Sequence, residues 1–342
     1  MTRADWLTAG RGRITASCFR WQHGMKVTRA MVDAQLRSRY WPGRWVARLL
    51  RTSWFSPFAL RMGRKRLAGR DYPGLACSQL HIPRADGLPP LRVRVYRPLE
   101  VTETLPVMLY LHGGGYRHGV PEQFAGVIAG FIAAQPCVVV APDYRKASEA
   151  PYPAAFDDAY ACLLWLRDNA AALGGHGDKF MVAGHSAGGG LAAAVTLKAR
   201  DAGQVLVGMQ VLAYPMLDDR GQTASMRDNN APVWDGAANA QAWAHYLKGT
   251  SAVDAYAAPA RASNFQQLPP TIAYVGDIDP FADETRAYCQ SLTQAGVPVA
   301  LATYKGAFHA FDGLVPSAEV SGQARAFLHG NFRDYVQRYM AR

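Results

Sequence analysis

Residues 181–190 read MVAGHSAGGG, an apolar run that breaks into glycines around one serine. Glycines at 184 and 188 weaken the strand and the helix that flank them, so their spacing around Ser186 asks for a reason other than stability. Strand, G-x-S-x-G and helix in succession form a nucleophile elbow, whose sharp turn holds the serine in a strained backbone conformation. Side chains at 184 and 188 would collide with the neighbouring strand and helix. The turn lifts Ser186 above the carboxyl ends of the strands and leaves the Ala187 N–H, at the helix start, facing whatever the serine attacks.

Three further stretches fit the same chemistry, acyl transfer. LYLHGGGYRHG (109–119) places three glycines directly after an apolar run, where N–H groups without a neighbouring Cβ can approach an oxyanion closely. TIAYVGDIDPFADE puts Asp279 just past another apolar run, able to fix an imidazole tautomer, with Asp277 and Asp283 as competitors. VALATYKGAFHAFDG carries His309 after the last strand-like segment. Ser, Asp, His is the chain order expected of an α/β-hydrolase. In this scheme His309 takes the Ser186 proton and a water later releases the acyl-enzyme. No metal or organic cofactor is called for: there is no dinucleotide loop, and His112 and His118 lack companions at metal-ligand spacing. His112 reads as a brace for the glycine loop and His185 as a structural residue of the elbow.

The elements that must hold these groups alternate from residue 75 onward. PVMLYLH, CVVVAPDY, KFMVAGH, VGMQVLAYP and TIAYVGD are continuous apolar runs suited to strands buried on both faces of a parallel sheet, whereas LRVRVYRP alternates like a half-exposed strand. Helical stretches lie between them, which predicts a doubly wound α/β fold. FAGVIAGFIAAQPCVVVAPDY is cut by Gln135 and Pro136, so it reads as a buried helix and a strand rather than a membrane span. Some fifty residues between AYPMLDDR and QLPPTIAYV supply helix but little strand, an insertion over the sheet.

Of 342 residues, the first 70 hold sixteen Lys or Arg against Asp5 and Asp33, so the net charge of +11 is local to that segment. No nucleic-acid-binding signature accompanies it. In WPGRWVARLLRTSW, Trp41, Trp45 and Leu49 recur every four residues with Arg44, Arg48 and Arg51 beside them: an amphipathic helix wanting a hydrophobic partner, either the protein or a membrane surface. Arg64, Lys65, Arg66 and Arg70 read as a solvated connector into the first strand. Five cysteines without a C-x-x-C pair, and no signal-peptide or membrane-spanning pattern, lead to the expectation of a cytoplasmic protein without stable membrane insertion.

The set HGGG, GHSAGG, YRKASEAPYPAAFDDA, AYPMLDDR, DIDPFADE and GAFHAF, in that order, resembles the hormone-sensitive-lipase family of α/β-hydrolases over residues 75–335. The resemblance implies an α/β-hydrolase fold: a mostly parallel eight-stranded sheet with helices on both faces under a helical cap. It implies a cap segment at 1–70, a catalytic domain at 71–216 and 256–342, and a cap insertion at 217–255. Catalytic Ser186, Asp279 and His309 carry over, with oxyanion donors Gly113, Gly114 and Ala187. The expected substrate is a small carboxylic ester of short to medium acyl chain, in a pocket walled by Tyr116, His185, Trp234, Trp243 and Trp41. An amidase, a membrane-surface lipid hydrolase and a non-catalytic receptor on the same fold are the alternatives, and retention of His309 counts against the last. Monomer and homodimer stay open. Where many members read YRLAPE this chain has YRKASE, and Lys146 and Ser148 are expected to loosen the loop behind the site.

Overall fold

The continuous apolar runs become the strands of one sheet. The structure, a computed structural model, describes residues 24–52, 54–84 and 87–340. Its strands are β1 (Leu75–Ile82), β2 (Leu91–Pro98), β3 (Leu105–Leu111), β4 (Val138–Pro142), β5 (Gly175–His185), β6 (Val207–Ala213), β7 (Thr271–Gly276) and β8 (Val299–Tyr304). They lie in the order β1-β2-β4-β3-β5-β6-β7-β8, antiparallel across β1, β2 and β4 and parallel from β4 to β8. Every residue of β4 and β7 is buried, which requires cover on both faces of the sheet. Helices α3 (Ala125–Ala134) and α7 (Glu319–Tyr339) pack on each other, as do α4 (Ala154–Asn169) and α5 (Ala187–Ala202). The apolar passage broken at Gln135 and Pro136 is α3 followed by β4.

The segment between β6 and β7 supplies one α-helix, α6 (Gly236–Tyr246), capped by the Asp235 carboxylate, which accepts from the Ala238 N–H at 2.8 Å. Two helices precede the sheet, α1 (Tyr40–Leu50) and α2 (Phe55–Leu67). The inward face of α1 is Tyr40, Gly43, Ala47 and Leu50, while Trp41 and Trp45 are 62% and 64% exposed. The tryptophan stripe therefore points outward, which leaves Trp41 out of the pocket wall expected of it. Close approach explains the choice: a Cβ on Gly43 would lie 2.6 Å from Pro232, and the Val233 N–H donates to the Gly43 carbonyl at 2.9 Å. Only the small-residue face of α1 fits there.

Three more expectations are revised by ion pairs. Arg64 is no solvated connector but part of α2, bonded to Glu149 at 2.5 Å and Asp143 at 3.2 Å. Arg92 and Arg94 of β2 do not face water: Arg92 bonds Glu122 at 2.6 Å and Asp143 at 3.0 Å, and Arg94 bonds Asp71 at 2.6 Å. Burial alone would raise the Asp143 carboxyl, but Lys146, Arg64 and Arg92 hold it well below its ordinary range. Lys146 tightens the loop where loosening was expected. Fully buried, it donates to Asp143 at 3.0 Å and to the Tyr144 carbonyl, and its ammonium lies 4.1 Å from the Tyr144 ring centroid.

Candidate active site

At the end of β5 the chain turns through Ser186, whose φ of 58° and ψ of −124° lie in a region that L residues rarely adopt, and enters α5 at Ala187. A Cβ on Gly184 would come within 2.0 Å of the Gly188 carbonyl oxygen, and one on Gly188 within 2.0 Å of the Leu111 carbonyl oxygen. Both positions thus need glycine for the turn to close. The Ser186 hydroxyl faces His309 Nε2 at 2.8 Å, and His309 Nδ1 meets Asp279 Oδ2 at 2.8 Å. The other Asp279 oxygen accepts the Phe281 N–H at 2.9 Å, and the carboxylate is fully buried. Of the competitors, Asp277 accepts the Gly306 N–H and Asp283 the Ser225 N–H, each at 2.7 Å. Only Asp279 among the three is bonded to the imidazole.

The HGGG loop leaves β3 alongside the elbow. Among the described residues, the N–H groups of Gly113, Gly114 and Ala187 have no intramolecular acceptor, so all three are available to an oxyanion. His112 stacks on Tyr144 with 4.3 Å between centroids, bonds the Gly113 carbonyl at 2.8 Å, and offers its own carbonyl to the Tyr144 hydroxyl at 2.6 Å. Burial, then the Lys146 charge, pushes His112 well below its ordinary value. Burial likewise pushes His185, whose Nδ1 meets the Tyr110 hydroxyl at 2.9 Å, down to about 4. Both rings are neutral in the folded chain at neutral pH. The unfolded chain, with histidine near 6.5, binds more protons as pH falls, so the stability that neutral His185 contributes is lost from about pH 6.5 down toward 4. For His185 alone the loss is roughly 2 kcal/mol at about pH 4.5. The drop in Tm between neutral and acid pH is therefore expected to be smaller in His185→Gln than in the native chain, and equal drops would refute the assignment.

A cavity of about 390 Å³ opens over Ser186 and His309. His185 and Trp234 line it, but Tyr116, Trp243 and Trp41 do not. Tyr116, at φ 58°, is buried with its ring stacked on Tyr246 at 3.9 Å and tilted against Trp243, so both are packed behind the cavity wall at α6. Trp41 is turned to the exterior with the outer face of α1. Walls that the sequence reading missed include Val46, Leu50, Phe55, Phe124, Tyr214 and Val233. Tyr214 had a signal, since it ends the β6 run where side chains reach the carboxyl edge of a parallel sheet. Its ring lies edge-on to His309 at 4.8 Å, and its hydroxyl donates to Asp312, which also accepts from Tyr274. The α1 and α2 contributors had no signal beyond apolarity.

A family model described as alpha/beta hydrolase fold matches residues 108–313. Carboxylesterase NlhH of Mycobacterium tuberculosis is 35% identical over 252 residues, 71% of this chain and 79% of that protein. Among solved structures, a bacterial heroin esterase superposes with a TM-score of 0.80 at 31% identity, covering 90% of this chain and 99% of the other. Esterase LipW of Mycobacterium marinum does so with a TM-score of 0.76 at 31% identity, covering 90% and 97%.

Proposed function

From the premise that the chain belongs to the hormone-sensitive-lipase-like family of α/β-hydrolases and is a serine carboxylesterase, we propose that Ser186, His309 and Asp279 carry out the hydrolysis. The observation behind this assignment is the continuous relay of two 2.8 Å contacts from the serine hydroxyl through the imidazole to a buried carboxylate. His309 Nε2 takes the Ser186 proton as the hydroxyl oxygen attacks the ester carbonyl. The N–H groups of Gly113, Gly114 and Ala187 hold the tetrahedral oxyanion, and His309, now protonated, returns the proton to the departing alcohol. A water activated by the same imidazole then cleaves the acyl-enzyme. Asp279 keeps the Nδ1 proton in place and balances the imidazolium charge. A fluorophosphonate is expected to label Ser186 and no other residue, read by peptide mass; label on a different serine would overturn the assignment.

Substrate size follows from the cavity. At about 390 Å³ it lies toward the small end of ligand sites, and its walls of Trp234, Phe55, Phe124 and Leu50 are apolar. Esters with short to medium acyl chains fit; a long-chain triacylglycerol does not. Along a series of p-nitrophenyl esters, kcat/KM is expected to peak at butyrate or hexanoate and to be at least about tenfold lower for palmitate, the cost of roughly 1.4 kcal/mol of lost fit. Faster turnover of emulsified long-chain triglyceride than of dissolved hexanoate would overturn this. An anilide of the preferred acyl group is expected to react far more slowly than the ester.

A further inference from the structure

The outer face of α1 and α2 has no protein partner among the described residues. Trp41, Trp45 and Trp54 are each about three-fifths exposed, and Phe58, Val46 and Leu49 are exposed as well, so half of the exposed large hydrophobic side chains of the described chain sit on these two helices and on Trp54, which caps the second. A patch of this kind on one face of a water-soluble fold marks a docking surface. Its charge is one-sided. Residues 34–70 hold ten Lys or Arg and no acid, and among the described residues no carboxylate lies within ion-pair distance of Arg48, Arg61, Lys65 or Arg66. The Arg48 guanidinium lies over the Trp45 ring, 5.4 Å from its centroid.

We infer that this face docks the protein on an anionic lipid membrane, with Trp45, Trp54 and Phe58 entering the headgroup boundary and the arginines and Lys65 meeting lipid phosphates. Tryptophan beside arginine is the composition of an interfacial helix, amphipathic rings at headgroup depth and cations against anionic lipid. No helix among the described residues is long and apolar enough to cross a membrane. The charge disfavours a second copy of the chain as occupant, since a two-fold contact would bring together Arg48, Arg61, Lys65 and Arg66 of both copies, eight cations with no carboxylate on that segment. Residues 1–23 are no better suited, carrying four arginines against Asp5. Val46 is exposed and also lines the catalytic cavity, and Leu50 and Phe55 line it from the same two helices, so the docked face borders the mouth.

The test is sedimentation of the full chain with vesicles of phosphatidylcholine alone or of equimolar phosphatidylcholine and phosphatidylglycerol. Binding is expected to be at least about tenfold stronger to the anionic vesicles and to fall as ionic strength rises. Trp45→Ser with Trp54→Ser, and separately Arg48→Glu with Arg61→Glu, are each expected to weaken vesicle binding at least about tenfold while leaving kcat/KM on a dissolved butyrate ester unchanged; the charge pair carries the test if the tryptophan pair fails to fold. Ser186→Ala is expected to sediment like the native chain, which separates this surface from the catalytic assignment. No binding, or equal binding to both vesicles, overturns the inference. So does a dimer, seen by sedimentation velocity, that the tryptophan pair of substitutions dissolves without any change in vesicle binding.

Discussion

Ser186→Ala is expected to lower kcat on p-nitrophenyl butyrate by about 10⁴ to 10⁶ with the fold intact. Removing the hydroxyl deletes the only atom that His309 Nε2 contacts on the elbow, at 2.8 Å, so proton abstraction has no substrate. The remaining activity is what the three free N–H groups and the cavity supply by holding the ester for attack by water. The turn itself survives, because alanine tolerates the φ of 58° no worse than serine and the close approach depends on Gly184 and Gly188. Circular dichroism and Tm are expected to match the native chain, and the fluorophosphonate label is expected to vanish. Near-native turnover in a folded Ser186→Ala protein would remove the whole catalytic assignment.

Much of this was readable from residues, for a physical reason. The parallel strands are buried on both faces, so their sequences are continuous apolar runs that mixed patterns cannot imitate. The elbow allows so few residues around Ser186 that glycine at 184 and 188 is close to obligatory, and the turn can be read from those two letters. Other features failed because they depend on what comes near. The period of four on α1 marks Trp41, Trp45 and Leu49 as one face but carries no sign of which way that face points; Gly43 and Ala47, which let the opposite face approach Pro232, decide it. Arg92 and Arg94 of β2 looked solvent-facing because alternation cannot register that Glu122, Asp143 and Asp71 arrive over them from distant segments. Lys146 likewise looked like a misfit in a buried loop until Asp143 and the Tyr144 ring enclosed it.

Asp279→Asn is expected to lower kcat by about 10⁴, close to 5.4 kcal/mol of transition-state stabilisation, and the direction follows from hydrogen-bond polarity. One oxygen of Asp279 accepts the Phe281 N–H at 2.9 Å and the other meets His309 Nδ1 at 2.8 Å. In the asparagine variant the amide oxygen stays with the Phe281 N–H, because the NH₂ group cannot accept that bond, and the NH₂ is left facing His309. Nδ1 must then be an acceptor, so the ring carries its proton on Nε2, the nitrogen that has to receive the Ser186 proton. The imidazole is held in place in the wrong tautomer. Asp277→Asn and Asp312→Asn are the comparisons that make the result diagnostic. Asp277 is bonded to the Gly306 N–H, and Asp312 takes the hydroxyls of Tyr214 and Tyr274, so neither carboxylate touches the imidazole. Each of those changes is expected to reduce kcat by less than about tenfold, through small shifts of the His309 loop or of the Tyr214 ring edge against it. If Asp312→Asn were the more damaging substitution, the orienting acid would be reassigned to the tyrosine-bound carboxylate. If Asp277→Asn were, the acid would sit two residues earlier on the loop after β7.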